Sequence, residues 1–134
     1  MLERLLAEIR RLLENHGPAL KRRADEARAK GDWSAAEQAY RRYLDEVADD
    51  ASARNDYGIV LCELGRFESA REQFMGALSR DGKLLSAYLN LGHLSMRSRD
   101  YREASAQYEA ALAIEPGQVD ARRQIAIACY ELGE

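Results

Sequence analysis

Residues 88–116 read YLNLGHLSMRSRDYREASAQYEAALAIEP. Tyr101, near the centre of this stretch, follows Phe67 by 34 residues, and Phe67 follows Trp33 by the same distance. Three more columns keep this spacing, and they are Ala36, Ala70 and Ala104, then Tyr40, Phe74 and Tyr108, then Leu44, Leu78 and Leu112. A fixed period of this length is typical of stacked helical repeats, in which neighbouring units share one core. The sequence therefore predicts an all-α solenoid of antiparallel helix pairs.

The repeat begins at residue 17. It gives three units and a half-unit, which are 17–50, 51–84, 85–118 and 119–134. In the third unit the pattern predicts helices over 86–98 and 101–114, with Asp100 as an N-cap and Pro116 ending the second helix. Asp32 should cap a helix of the first unit in the same way. A further column of small residues, where two helices should approach closely, contains Ala24, Gly58, Gly92 and Ala126. The half-unit matches only one helix, so either that helix is the natural cap of the stack or the chain is a segment of a longer protein, and we favour the second.

Residues 1–16 form a separate amphipathic helix before the repeats. Its apolar stripe consists of Leu2, Leu5, Leu6, Ile9, Leu12 and Leu13. Because monomers seldom leave such a patch exposed, the stripe should be covered. We favour folding back onto the first repeat helix as an N-terminal cap, and the alternative is pairing with the same helix of a second copy in a homodimer. The stripe is interrupted by charge, so we expect no membrane insertion.

The composition excludes several functions. A net charge of −3 with 32% charged residues gives a mixed surface, which favours no binding to nucleic acid. Cys62 and Cys129 lie two repeats apart, so we expect free thiols in a reducing, cytoplasmic compartment. The chain has two histidines, and it lacks a glycine-rich phosphate loop, a nucleophile elbow and a Cys-x-x-Cys pair. We therefore predict no enzymatic activity, no metal site and no cofactor.

The quoted stretch also resembles a known family. Its matching positions are Tyr88, Gly92, Tyr101, Ala104, Tyr108, Ala111 and Pro116, and together they resemble a tetratricopeptide repeat. The second unit matches at Gly58, Phe67 and Phe74 and departs from the family pattern at Gly82. The third unit departs from it at Ser95. The resemblance implies a right-handed superhelix whose concave groove, lined by the first helix of each unit, receives a peptide segment or a partner helix. The function implied is that of a protein–protein interaction scaffold.

Carrying the family's groove positions onto this chain gives a candidate peptide-binding set. It consists of Lys21, Arg22, Asp25 and Arg28 in the first unit, Asn55, Asp56, Ile59 and Cys62 in the second, Leu89, Asn90, His93 and Met96 in the third, and Arg123, Gln124 and Ile127 in the half-unit. One column of this set, Arg22, Asp56, Asn90 and Gln124, is polar throughout. A side-chain amide such as that of Asn90 can hydrogen-bond a peptide backbone through both its oxygen and its nitrogen.

Three other functions are alternatives to this one. Chaperone-tail binders of the family hold a terminal carboxylate, but Asp25 and Asp56 stand where asparagines are usual and would repel it. Asn90 is similar to the asparagine of arrays that hold extended peptides, as in protein glycosyltransferases, so the chain could instead be the recognition arm of a larger enzyme. The third alternative is a self-association module that uses the leucine stripe.

Overall fold

The computed structural model describes residues 1–14 and 16–134, and within them it contains α-helices and no strand. The helices are α1 (Leu2–Glu14), α2 (Gly17–Ala29), α3 (Trp33–Glu46), α4 (Ala51–Glu63), α5 (Phe67–Arg80), α6 (Leu85–Arg97), α7 (Tyr101–Ile114) and α8 (Val119–Leu132). From α2 to α8 each helix packs against the next, which makes three helix pairs and a final single helix. The predicted all-α solenoid is therefore confirmed. The helix predicted over 86–98 begins and ends one residue earlier, while that over 101–114 has the predicted bounds.

Aspartates begin three of these helices. Asp32, Asp50 and Asp100 each accept a hydrogen bond from the backbone N–H three residues later, at 3.2, 2.9 and 3.2 Å. These bonds satisfy N–H groups that have no partner within the helix. The caps predicted at Asp32 and Asp100 are thus confirmed, and they fix the turn between the two helices of the first and third pairs.

The core lies between the helix pairs and is filled by one aromatic side chain from each second helix. Tyr40, Phe74 and Tyr108 are 0%, 1% and 0% exposed. Gly58 makes room for the middle ring, because a Cβ atom placed there would lie 2.5 Å from a carbon of the Phe74 ring. Gly92 does the same for Tyr108, at 2.7 Å. The small-residue column therefore sets how closely the two helices of a pair approach.

The predicted N-terminal cap is wrong, because no residue of α1 is buried and its leucine stripe is exposed. The reason lies in α2. In α4, the positions that pack on the preceding helix are Tyr57, whose ring stacks on Tyr40, and the fully buried Val60. The corresponding positions of α2 are Arg23 and Glu26, and both are exposed. A leucine stripe docked there would have to cover two charged groups, which is costly.

Candidate functional site

The predicted site residues all lie on α2, α4, α6 and α8, the first helices of successive pairs. We call the surface formed by their side chains the groove face. Side-chain contacts join neighbouring first helices across it, from Arg28 on α2 to Asp56 on α4 and from Asn55 on α4 to Asn90 on α6. The groove face divides into a charged part near α2 and a part near α6 that contains amides and a cavity.

The charged part is a cluster of five linked side chains, Lys21, Asp25, Arg28, Tyr40 and Asp56. The Tyr40 hydroxyl donates to Asp25 Oδ1 at 2.5 Å, and Lys21 Nζ lies 3.1 Å from Asp25 Oδ2. Arg28 Nε donates to the Tyr40 oxygen at 3.2 Å, while its Nη2 lies 3.8 Å from Asp56 Oδ2. Two cations and two anions therefore balance within this charged cluster.

Burial sets the ionisation of the charged cluster. Burial raises the pKa of Asp56, and the neighbouring Arg28 partly offsets that rise. Burial also raises the pKa of Tyr40, and its hydrogen bond to Asp25 raises it further. Tyr40 therefore stays a hydroxyl donor at neutral pH. The charged groups of the cluster are paired with one another and do not present an unpaired charge to a ligand.

Two asparagines form the next part of the groove face. Asn55 is buried at 5% exposure and its Nδ2 donates to Ser86 Oγ at 3.2 Å. Asn90 Nδ2 in turn donates to Asn55 Oδ1 at 3.0 Å. Asn55 was predicted to contact a peptide, but its place in the structure is beneath Asn90, which it orients. The side-chain oxygen of Asn90 and its second N–H make no hydrogen bond within residues 1–14 and 16–134. Both are therefore free to form hydrogen bonds with a ligand.

A cavity of about 430 Å³ opens beside Asn90, between α4, α5 and α6. Its lining residues are Ile59, Cys62, Glu63, Phe67, Phe74, Asn90, His93, Leu94 and Arg97. Its volume falls within the range of about 300–1,000 Å³ typical of ligand pockets. Apolar side chains line much of it, while an amide, an imidazole and two charged groups are also present, an arrangement suited to an apolar side chain with polar groups on either side of it.

The charged and reactive groups of this cavity have distinct environments. The Arg97 guanidinium lies 4.4 Å from the centre of the Phe67 ring, a cation–π contact that holds it at the cavity. Burial raises the pKa of Cys62, and Glu63 raises it further, so the thiol is neutral and free at physiological pH. His93 is exposed, and its ring meets the Tyr108 ring edge-on at 5.7 Å between centres.

The remaining predicted residues lie outside the cavity. Arg22 is exposed on α2, and Arg123 pairs with Asp120 of its own helix at 2.6 Å. Leu89 and Met96 are half-buried against a small core around Tyr108. Gln124 is half-buried on α8. Ile127 is exposed on the same helix. The structure thus brings together Ile59, Cys62, Asn90 and His93 at the cavity, but not these six.

Sequence reasoning missed two charged residues of the cavity, Glu63 and Arg97. They lie 34 residues apart and directly follow Cys62 and Met96, which were in the predicted set. Extending that set by one position on each helix would have found them. Phe67 and Phe74 were identified only as positions of the 34-residue columns, and both line the cavity because it extends from α4 and α6 to α5.

Two further features are absent from residues 1–14 and 16–134. No group of three or more His, Cys, Asp or Glu side chains could hold a metal ion there. In the same part of the chain, no helix combines the length and the apolar character that crossing a membrane requires.

Comparisons with known proteins agree with the repeat pattern. Two family models, both described as Tetratricopeptide repeat, match residues 21–83 and 86–118. A comparison with curated proteins gave no match. The chain is similar in structure to MamA, with a TM-score of 0.88 at 18% identity over 95% of this chain and 74% of that one.

Two further solved structures are similar to the chain. The first TPR of Spaghetti (RPAP3), bound to an HSP90 peptide, has a TM-score of 0.83 at 19% identity over 88% of this chain and 94% of that one. The Arabidopsis OM64 TPR domain has a TM-score of 0.79 at 23% identity over 84% and 93%. At these identities the likeness concerns the fold. Since the helix pairs keep the 34-residue period and the two family models cover most of the chain, the chain belongs to the tetratricopeptide-repeat family.

Proposed function

We propose that this chain is a protein-interaction scaffold that binds a peptide segment across its groove face, with one apolar side chain of the peptide in the cavity between α4 and α6. The observation that carries the proposal is the position of Asn90 beside this cavity, held by a hydrogen bond from its Nδ2 to Asn55 Oδ1. An amide fixed in this way costs little further ordering when a ligand binds.

The geometry supports an extended peptide backbone as the ligand of Asn90. The free oxygen of the amide can accept from a peptide N–H while its second N–H donates to a peptide carbonyl. Arg97 at the cavity adds a cation that can meet a carbonyl or a carboxylate of the same peptide. Similarity to the RPAP3 domain, whose structure was solved with an HSP90 peptide, supports a peptide ligand in general terms.

The mode of binding should nevertheless differ from capture of a terminal carboxylate. Asp25 and Asp56 lie in the charged cluster with Lys21 and Arg28, and these four charges cancel one another. A carboxylate placed there would have to displace paired groups and would lie close to two acidic side chains. We therefore propose an internal peptide segment, anchored near α6, as the ligand.

Peptides selected by display on the immobilised chain would test this function. We expect Asn90→Ala to weaken binding of a selected peptide about 5- to 150-fold, since each buried backbone group left unpaired costs about 1–3 kcal/mol. Fluorescence anisotropy of the labelled peptide measures the change. Gln38→Ala is the matched control, because Gln38 is an exposed amide on α3, outside the groove face. Equal affinities for wild type and Asn90→Ala, with a loss for Gln38→Ala, would contradict the groove as the binding surface.

A second candidate function is self-association through α1. The observation that favours it is the exposed leucine stripe, since monomers rarely keep a large apolar patch in contact with water. Sedimentation of the chain over a range of concentrations tests it, and a single monomeric species throughout would contradict it.

A further inference from the structure

We infer that the peptide bound on the groove face carries an acidic side chain, Asp or Glu, whose carboxylate accepts a hydrogen bond from the Tyr108 hydroxyl. This peptide is the ligand of the proposed function, on which the inference rests. The carboxylate occupies a second subsite, between α6 and α8, next to the cavity that receives the apolar side chain. The observation that carries it is a buried hydroxyl that the chain itself leaves without a partner.

The Tyr108 hydroxyl is a buried donor. The residue is 0% exposed, and its side-chain oxygen makes no hydrogen bond in the part of the chain that the structure describes. Buried polar groups of native proteins are nearly always hydrogen-bonded, so an unpaired one needs an explanation. Burial raises the pKa of Tyr108 to about 12, so the group keeps its proton at neutral pH and can donate it.

The repeat shows which partner such a hydroxyl takes. Tyr40, two periods before Tyr108, is also 0% exposed, but its hydroxyl donates to Asp25 and accepts from Arg28. The Asp25 side chain is 37% exposed, so it reaches the buried hydroxyl from the groove face while it stays in contact with water. A carboxylate on the groove face is therefore a suitable partner for a tyrosine at this position.

The third unit keeps the tyrosine but replaces the acidic residues around it. Two periods after Asp25 the sequence has His93, and two periods after Asp56 it has Gln124. An imidazole and an amide can both donate to a carboxylate, and neither repels it. The acceptor that the first unit supplies from its own chain is therefore absent from the third unit, where a ligand can supply it.

The side chains of α6 next to the Tyr108 ring can move. His93 is exposed, and its ring meets the Tyr108 ring edge-on at 5.7 Å between centres. Met96 is half-buried against the core around Tyr108, and methionine is unbranched and flexible. A ligand carboxylate therefore needs rotations of these two side chains to reach the hydroxyl.

The place of this subsite sets the spacing on the peptide. His93 lines the cavity and also meets the Tyr108 ring, so the two subsites lie on either side of α6. Neighbouring packed helices lie about 8–10 Å apart, and an extended chain advances about 3.3 Å per residue. We therefore expect the acidic residue about three positions from the apolar residue in the cavity. Phe74, which has no hydroxyl, holds the position of Tyr108 at the cavity, so the apolar subsite lacks this donor.

The test removes the hydroxyl from two equivalent tyrosines. Tyr108→Phe removes the unpaired hydroxyl, and the matched control, Tyr40→Phe, removes one that is already paired with Asp25 and Arg28. Both replacements keep the ring, so the packing between helices should persist. Peptides are selected by display from a random library on wild type and on each variant, and urea unfolding measures the stability of all three proteins.

We expect the peptides selected on wild type and on Tyr40→Phe to be enriched in Asp or Glu about three positions from an apolar residue, and those selected on Tyr108→Phe to lack this enrichment. Replacing the acidic residue of a selected peptide by alanine should weaken binding to wild type about tenfold or more, because hydrogen bonds to charged groups are the stronger kind. The same replacement should weaken binding to Tyr108→Phe by about threefold or less, as a double-mutant cycle by fluorescence anisotropy measures. Tyr40→Phe should be less stable than wild type, whereas Tyr108→Phe should not, since it loses no hydrogen bond within the chain.

Two results would overturn the acidic subsite alone. If peptides that depend on Asn90 are selected, but wild type and Tyr108→Phe select acidic residues equally, the proposed function stands and the subsite is wrong. If Tyr108→Phe is destabilised as much as Tyr40→Phe, the Tyr108 hydroxyl already has a partner within the chain and is not a ligand group. A third result, that wild type selects no peptide, would instead refute peptide binding by the groove face, and the subsite with it.

Discussion

Replacing Gly58 by alanine tests whether the rings between helices are as tightly held as the structure indicates. The new Cβ would lie 2.5, 2.7 and 2.9 Å from three carbons of the Phe74 ring. Phe74 is 1% exposed, so its ring cannot swing into solvent to make room. Gly76 provides the matched control, since it is also inside a helix but its Cβ would meet nothing closer than 3.7 Å.

The magnitude follows from two opposing effects. Alanine in a helix interior is more stable than glycine by about 0.5–1 kcal/mol. Overpacking a filled core costs about 1–3 kcal/mol. Gly76→Ala should therefore stabilise the chain by about 0.5–1 kcal/mol, while Gly58→Ala should range from neutral to about 2.5 kcal/mol destabilising. Because the helix gain is common to both, the difference between the two variants measures the clash alone, at about 1–3 kcal/mol.

Urea unfolding, followed by circular dichroism, measures both free energies, provided that the slope with denaturant is the same in all variants. Repeating the pair in a Phe74→Leu background gives a double-mutant cycle. The shorter side chain should relieve the clash, so the difference between the two alanine variants should shrink. If Gly58→Ala stabilises the chain as much as Gly76→Ala does, the close packing between Gly58 and Phe74 is refuted.

Two further predictions concern polar groups. The Ser95 side-chain oxygen is buried with no hydrogen-bond partner in residues 1–14 and 16–134. Ser95→Ala should therefore stabilise the chain by about 1–3 kcal/mol. A urea midpoint lower than that of wild type would contradict this prediction. Burial alone would raise the pKa of Asp50, but hydrogen bonds from Tyr43 and from the Ala53 N–H lower it below its ordinary 3.8. The stability gained from this carboxylate is therefore present above about that pH and lost as the pH falls further. Asp50→Asn should then have a lower free energy of unfolding than wild type near neutral pH and a nearly equal one in acid. A difference in free energy of unfolding that does not change with pH would exclude this account.

The candidate site could be predicted only in part. Asn90 and His93 were included in the predicted set because the groove positions of the family recur at a fixed period, and the structure places both beside the cavity. The hydrogen bonds of Asn55 were not predicted, because the same period places it on the groove face whether it meets a ligand or another side chain. Its hydrogen bonds to Ser86 and Asn90 join residues more than 30 positions apart, so they depend on how far apart α4 and α6 lie. Arg97 was missed for a related reason, since its contact with the Phe67 ring crosses from one helix pair to another.

The sequence by itself determined the helix pairs, their caps and the aromatic core. These features depend on spacing along the chain: a helix buries every third or fourth residue, and a stacked repeat returns the same residue type every 34 positions. The tertiary structure alone decided the exposure of α1. The apolar character of the leucine stripe does not specify where it packs, whereas the charged residues on the facing side of α2 disfavour packing there. It also decided the balance of charges around Tyr40 and the cavity beside Asn90. Each of these depends on distances between helices, which side-chain packing sets and the repeat period does not encode.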